Sequence, residues 1–406
     1  MPTRYGVSPW IDRFPTRRLA SFPRYRGAST VDVVVVGGGL TGCASAYAFA
    51  AAGINVLLLE SDRIGRGATA GASGLISDDP GLDGADLEKT MGARAARLAR
   101  QSWRRAALDF QALLRRLAIK CDLESRPLLT LAMNDEQAAR LKREQRSRKD
   151  AGIDASIVKP AAVGADVGLS AAAALRSRDC ATIDPFRATI GLADAAKSRG
   201  AMLFERTAVK RITFTRKHAM VATDGGTITT NRVVVATGMP TALFKSLARH
   251  FWFRSTSLVL TDRVPAKIRQ RLGRREAVLR DLAAPSHIVR WVDDERLLVN
   301  GADTEAIADR NRDKTLIQRT GQLMYELSTL YPDISGLRPE FGWAAAYART
   351  AEGVPYIGAH RNFPHHLFAF GDSSHSITGA FLASRIFLRA HLGSPDAADA
   401  VFGFHR

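Results

Sequence analysis

Thirty residues from Val31 to Glu60, VDVVVVGGGLTGCASAYAFAAAGINVLLLE, constrain this chain more than any other stretch. Residues 31–36 form a β-branched run bounded by glycines, as expected of a strand buried on both faces. Gly37, Gly39 and Gly42 then make G-x-G-x-x-G. The first glycine permits a tight turn, the second lets a pyrophosphate approach the backbone, and the third lets the helix pack close to the strand. The helix opens at Leu40 and Thr41, and its N-terminus aims free N–H groups and a positive dipole end at phosphate. Gly53 stops it, and 54–59 reads as a second apolar strand. Glu60 ends that strand, where a carboxylate accepts hydrogen bonds from ribose hydroxyls. The acid favours an unphosphorylated ribose, so FAD or NAD over NADP; this unit alone does not choose between those two.

At 406 residues the chain has room for two domains with sizeable cores. Its 46% hydrophobic and 24% charged content is that of an ordinary soluble globular protein. No apolar run approaches the roughly 18 residues of a membrane span. Arg17-Arg18 is followed by Pro23, Arg24 and Arg26 rather than by an apolar segment, so no secretory or twin-arginine signal is expected and the cytoplasm is the expected location. Cys43, Cys121 and Cys180 have neither metal-ligand nor disulfide spacing. The formal charge of +18 is carried mainly by arginine, clustered at 94–105, 140–149 and 269–280. With no aromatic interleaving and no nucleic-acid motif beside them, these clusters read as solvated helix faces, a nucleic-acid surface being the alternative.

Residues 1–29 read as an irregular arm tucked against the first domain through Trp10 and Phe14. Residues 65–74, GRGATAGASG, are bare of large side chains and suited to close approach by a large ligand. Residues 84–120 read as a packed helix with Leu98, Trp103, Leu108, Phe110 and Leu114 inward, and 134–151 as a polar helix capped by Asn134. Asp224-Gly225-Gly226 reads as a hairpin turn. Residues 232–236 read as a buried strand ending at Thr237-Gly238, where ligands sit in open α/β sheets. Residues 250–303 read as long, mainly antiparallel strands. Residues 314–330 read as a helix with Leu316, Ile317, Leu323, Leu327 and Leu330 inward. His365 and His366 read as surface residues. Residues 367–392 return to strand, glycine turn and helix.

Taken in order, GGGLTG (37–42), Glu60, GRGATAGASG (65–74), IDPFR (183–187), VVVATG (233–238), RTAEGVPYIG (349–358) and GDSSHSITG (371–379) resemble the FAD-dependent D-amino-acid-oxidase-like (DAO) family, which includes the glycine and sarcosine oxidases. The resemblance implies an α/β fold: a doubly wound, Rossmann-like FAD-binding domain with an interleaved α+β substrate domain containing a mostly antiparallel sheet. The expected division is 1–29 for the arm, 30–83, 151–239 and 336–406 for the FAD-binding domain, and 84–150 and 240–335 for the substrate domain. It also implies oxidation of a C–N bond of a small-molecule amine or amino acid by hydride transfer to flavin N5, with hydrolysis of the released imine and reoxidation by O2 or an electron carrier.

Carried onto this chain, the resemblance places Gly37, Gly39, Leu40, Thr41 and Gly42 at the pyrophosphate and Glu60, with Ser61, at the adenosine ribose. Arg66, Gly67, Ala68 and Thr69 lie along the flavin side, Val209 at the adenine, and Ala236, Thr237 and Gly238 at the strand end. Gly371, Asp372, His375, Ile377 and Thr378 hold the pyrimidine end of the ring. Tyr347 stands where relatives often carry an arginine, with Arg349 two residues on and on the same face of a strand. These two and His375 are the candidate catalytic and substrate-side residues, with His375 either a ring contact or a base. Thr378 replaces a carboxylate-assisting lysine. Ala345 replaces the cysteine of covalent members, so the FAD is expected to dissociate. No metal is expected. Two other readings stand beside this one: an FAD enzyme acting on a tRNA-linked amine, and a non-catalytic FAD-binding protein.

Overall fold

The computed structural model describes residues 2–81, 83–283, 286–306, 309–371 and 377–405. Two large sheets organise them. The first has eight strands. Its parallel core runs Met202–Phe204, Val56–Leu59, Gly27–Val36, Gly226–Gly238 and Phe363–Phe370. Val33, Val34 and Val35 are fully buried, as a strand covered on both faces requires. The helices Leu40–Ala51, Pro185–Ser198 and Ile377–His391 cover one side of this sheet. Gly226–Gly238 is a single long strand. Its first half closes the expected hairpin onto Ala219–Thr223, and its second half lies at the sheet centre.

The second sheet has nine strands and is mainly antiparallel. Trp252–Thr261 lies between Arg296–Glu305 and Pro339–Arg349, antiparallel to both. Sheet membership crosses the division expected from sequence. Ala155–Val158, Ala173–Ser177 and Pro339–Arg349 pair here rather than in the nucleotide sheet. Conversely, the helix Ala93–Arg116 joins the nucleotide-side core, where Phe110 stacks on Phe381 at 4.9 Å. Long-range strand pairing and helix packing make both assignments, and neither shows in local periodicity.

Several local expectations change for physical reasons. The helix expected over 84–120 is two helices, Gly84–Met91 and Ala93–Arg116, because Gly92 between them has φ 79°. Leu108 and Ile317 turn outward, at 37% and 52% exposure. His366 is buried, because residues 366, 368 and 370 share the core face of their strand. Its ring stacks on Phe368, and burial pushes its pKa down to about 4. The Asn134 cap forms as expected, its side chain accepting from Gln137 N–H at 2.9 Å.

The helix Asp135–Asp150, so polar in sequence, keeps most of its charges exposed but buries two on its inner face. Arg148 and Glu144 on its inner face are buried, and Arg148 donates to Glu144, Asp79 and Ser177. Arg280 donates to Asp79 from the nine-stranded sheet, and Arg100 donates to Glu144 from the neighbouring helix. Burial pushes the Asp79 carboxyl up, but Arg280 and Arg148 outweigh it and hold it well below the ordinary range. Much of the arginine in the basic stretches is similarly committed: Arg104 to Asp179, Arg105 to Asp109, Arg140 to Asp83, Arg269 to Glu295. Among the described residues, no helix is long and apolar enough to cross a membrane.

Removing one partner of a buried ionic network leaves the others uncompensated. Arg148→Met is expected to cost about 3–5 kcal/mol of stability near neutral pH, read as a lower melting temperature. A carboxyl whose native pKa lies below its unfolded value stabilises the fold above the unfolded pKa and loses that contribution as pH falls through the native one. The parent's Asp79 contribution should therefore be complete above about pH 4 and fall away only below it. An unchanged melting temperature in Arg148→Met at neutral pH would contradict the arrangement.

Candidate active site

The glycine turn works by backbone proximity. Gly37 has φ 106°. A Cβ on Gly42 would overlap the Gly37 carbonyl, so the helix Leu40–Ala51 begins in direct contact with the turn. Glu60 closes the turn from the neighbouring strand. One carboxylate oxygen accepts from Gly38 N–H at 2.6 Å, the other from Asp62 N–H at 2.8 Å and from the Ser61 hydroxyl. Its backbone carbonyl accepts from Thr207 N–H, which brings the segment leading to Val209 alongside. Glu205, unnoticed in the sequence, is buried and accepts from Ile64 N–H at 2.9 Å, fixing the turn that follows Glu60.

The small-residue segment folds back over this turn. Thr69 Oγ1 accepts from Leu40 N–H at 3.0 Å, so the segment caps the nucleotide helix. Arg66, Gly67 and Ala68 are exposed beside it. Gly71 lies so close to the strand Pro339–Arg349 that a Cβ there would overlap that of Ala345. The arm holds the same segment from the other side. Ser8 Oγ donates to Ala70 O at 2.5 Å, and Trp10 Nε1 donates to Ala72 O at 3.0 Å. Trp10 is buried with the guanidinium of Arg290 5.1 Å from its ring centroid, while Phe14 packs on Phe186. The arm's packing role was legible in its aromatics; its grip on the ligand segment was not.

Between the two sheets lies a cleft that is partly open to solvent. Leu40, Thr41, Ala68, Thr69, Thr237, Gly238, Gly371 and Ile377 line its nucleotide side. Thr256, Ala345, Ala346 and Tyr347 line the other. Gly371 N–H donates to Gly238 O at 3.1 Å, which ties two of the expected cofactor turns together. Thr378 is buried beside the cleft, with its hydroxyl spent on Ser77 O at 2.8 Å. Among the described residues, no charged side chain lines the cleft. Asp372 and His375 lie outside the described residues.

Tyr347 points to the cleft and donates to Asp303 at 2.5 Å. Asp303 lies next to a bulge in Arg296–Glu305, with Ala302 at φ 50°. Arg349 is exposed at the end of its strand. The three cysteines are buried. Among the described residues, no group of acidic, histidine or cysteine side chains has metal-binding geometry.

The residues fit FAD. The glycine turn is a cradle that a side chain would fill, the helix N-terminus points at it, and a carboxylate stands at the neighbouring strand end. Glu60→Ala should weaken FAD binding roughly 10- to 100-fold, read by equilibrium dialysis, with the circular dichroism of the fold retained. Unchanged binding would move the ribose contact elsewhere.

A family model described as FAD dependent oxidoreductase (DAO) matches residues 32–389. Over 391 residues the chain is 27% identical to gamma-glutamylputrescine oxidoreductase of Escherichia coli (strain K12), covering 94% of this chain and 88% of that one. Over 336 residues it is 26% identical to glycine oxidase of Geobacillus kaustophilus (strain HTA426), covering 81% and 84%. The fold matches the crystal structure of glycine oxidase from Geobacillus kaustophilus with a TM-score of 0.77 at 22% identity, over 93% of this chain and 99% of that one. It matches L-proline dehydrogenase from P. horikoshii with a TM-score of 0.76 at 19% identity, over 93% and 97%. With the glycine turn, the carboxylate and the two-sheet cleft in place, the chain belongs to the DAO family of FAD-dependent oxidoreductases, and FAD is its cofactor.

Proposed function

We propose that the protein oxidises a C–N bond of a small-molecule amine or amino acid. The observation that carries this reading is the cleft itself, with cofactor turns on one wall and the Tyr347 face of the nine-stranded sheet on the other. The relatives' names, an oxidoreductase of gamma-glutamylputrescine and an oxidase of glycine, support that substrate class. Bound FAD supplies a two-electron acceptor for the hydride leaving the carbon beside nitrogen.

The chain's own residues have modest work, as this chemistry needs orientation more than acid–base groups. The small residues Ala345 and Ala346 leave room for a substrate beside Tyr347. Tyr347, held by Asp303, is the polar group that orients the substrate nitrogen. Ala345 offers no covalent attachment, and the FAD is held non-covalently.

The test is the visible spectrum of the FAD-loaded protein, followed anaerobically as amines and amino acids are added. Bleaching by one compound class establishes the reaction and the class together; a flavin that nothing bleaches would sink the reading. Once a substrate is found, Tyr347→Phe should lower kcat/KM roughly 10- to 100-fold with FAD content retained, because Asp303 loses its donor and the nitrogen its guide. Unchanged turnover would make the tyrosine a bystander.

A further inference from the structure

The ladder between Trp252–Thr261 and Pro339–Arg349 places two unclaimed charges. In it Thr256 lies opposite Ala345, Arg254 opposite Tyr347, and Trp252 opposite Arg349. Directly opposed residues of an antiparallel pair share a face. Thr256, Ala345 and Tyr347 line the cleft, so Arg254, Trp252 and Arg349 continue that same face toward its rim. Arg254 is half-buried, Arg349 is exposed, and Trp252 is 54% exposed.

Many other arginines of this chain are tied to carboxylates, among them Arg13, Arg126, Arg148, Arg280 and Arg296. Among the described residues, Arg254 and Arg349 form no side-chain hydrogen bond, ion pair or ring contact. Glu305 lies opposite Arg254 on the third strand and is exposed, without an ion pair between them. The two guanidiniums are diagonal neighbours across one strand pair, within mutual reach of a single anion. A planar pair of forked donors at a half-buried rim matches a carboxylate.

Position sets what kind of carboxylate. Ala345 touches Gly71 of the cofactor-side segment, so the reacting end of the cleft is there. At about 3.3 Å per residue, Arg254 stands roughly 7 Å along its strand from Thr256, and Arg349 roughly 13 Å from Ala345. A carboxylate on the carbon being oxidised would sit among neutral, small side chains. One several bonds away would reach the arginines.

We propose that Arg254, with Arg349, is the specificity-determining anion subsite of this cleft, selecting an amine that carries a carboxylate several bonds from the reacting carbon. The proposal rests on the cleft being the amine site. It separates the two ends of the substrate: Tyr347 and Asp303 take the nitrogen, and the two arginines take the remote anion.

The test uses the FAD-loaded full chain and three probes, 5-aminopentanoate, pentylamine and glycine, titrated calorimetrically. The parent should prefer 5-aminopentanoate over both others by at least about tenfold. Arg254→Gln should erase that preference at unchanged FAD content, and Arg254→Lys should keep part of it. If Arg254→Gln does not fold, Arg349→Gln carries the same comparison. A parent without the preference, or a glutamine variant that keeps it, overturns the proposal; so does a preference lost equally in Arg254→Lys, which would mark a structural role. A protein that shows the preference but whose flavin no amine bleaches would instead refute the oxidation reading alone.

Discussion

The nucleotide half of this protein depends on backbone packed against backbone with no side chain between. The Gly42 backbone touches the Gly37 carbonyl, and Gly37 in turn approaches the Ala236 carbonyl of the adjoining parallel strand. Two segments distant in sequence thereby meet at one turn, and a single methyl group at the Gly42 contact would push the helix off the sheet. The parallel pairing of Gly27–Val36 with Gly226–Gly238 supplies the rigidity that keeps this approach in register. The cleft, the segment over it and the wall opposite are positioned from there.

The second organising theme is how an arginine-rich chain uses its charge. In the interior, Arg148 and Arg280 neutralise Asp79 and bind helix to sheet. At intermediate depth, single arginines clip strand ends, as Arg296 does to Glu340. Where the antiparallel wall meets the cleft, Arg254 and Arg349 have no carboxylate partner among the described residues. Burial grades the role: a deep arginine is a structural fastener, and the proposed anion subsite uses two arginines at the rim.

What could be read from the sequence follows the range of the contacts. The turn from Val31 to Glu60 was legible because strand, glycines, helix and acid lie within one local unit, and Glu60 sits where its spacing put it. The segment at 65–74 lacks large side chains, which marked it for a close approach, and residues 68, 69, 71 and 72 of it line the cleft. The substrate wall was not. Tyr347 and Arg349 were named by resemblance as substrate-side candidates, but their neighbours Arg254 and Asp303 are set by ladder register and by a bulge. His366 was misread because a polar pair in FPHHLFAF was given more weight than the alternation that turns residue 366 inward. Glu205 is buried against backbone N–H groups, and only the folded turn at Ile64 explains it.

The arm carries a consequence for how the chain matures. Thr3 donates to Pro339 O, 336 residues later, and Arg4 pairs with Phe341. At a synthesis rate of about 5–20 residues per second, the arm waits on the order of tens of seconds before its strand partner exists. Until then Ser8 and Trp10 have no fixed seat from which to hold Ala70 and Ala72. The contact of Gly37 with Ala236 can form before the partner strand is made, whereas the tie from Gly371 to Gly238 forms after it. The arm and the strand Pro339–Arg349 can lock together only once that strand exists, so the seat that holds Ala70 and Ala72 is set late in synthesis.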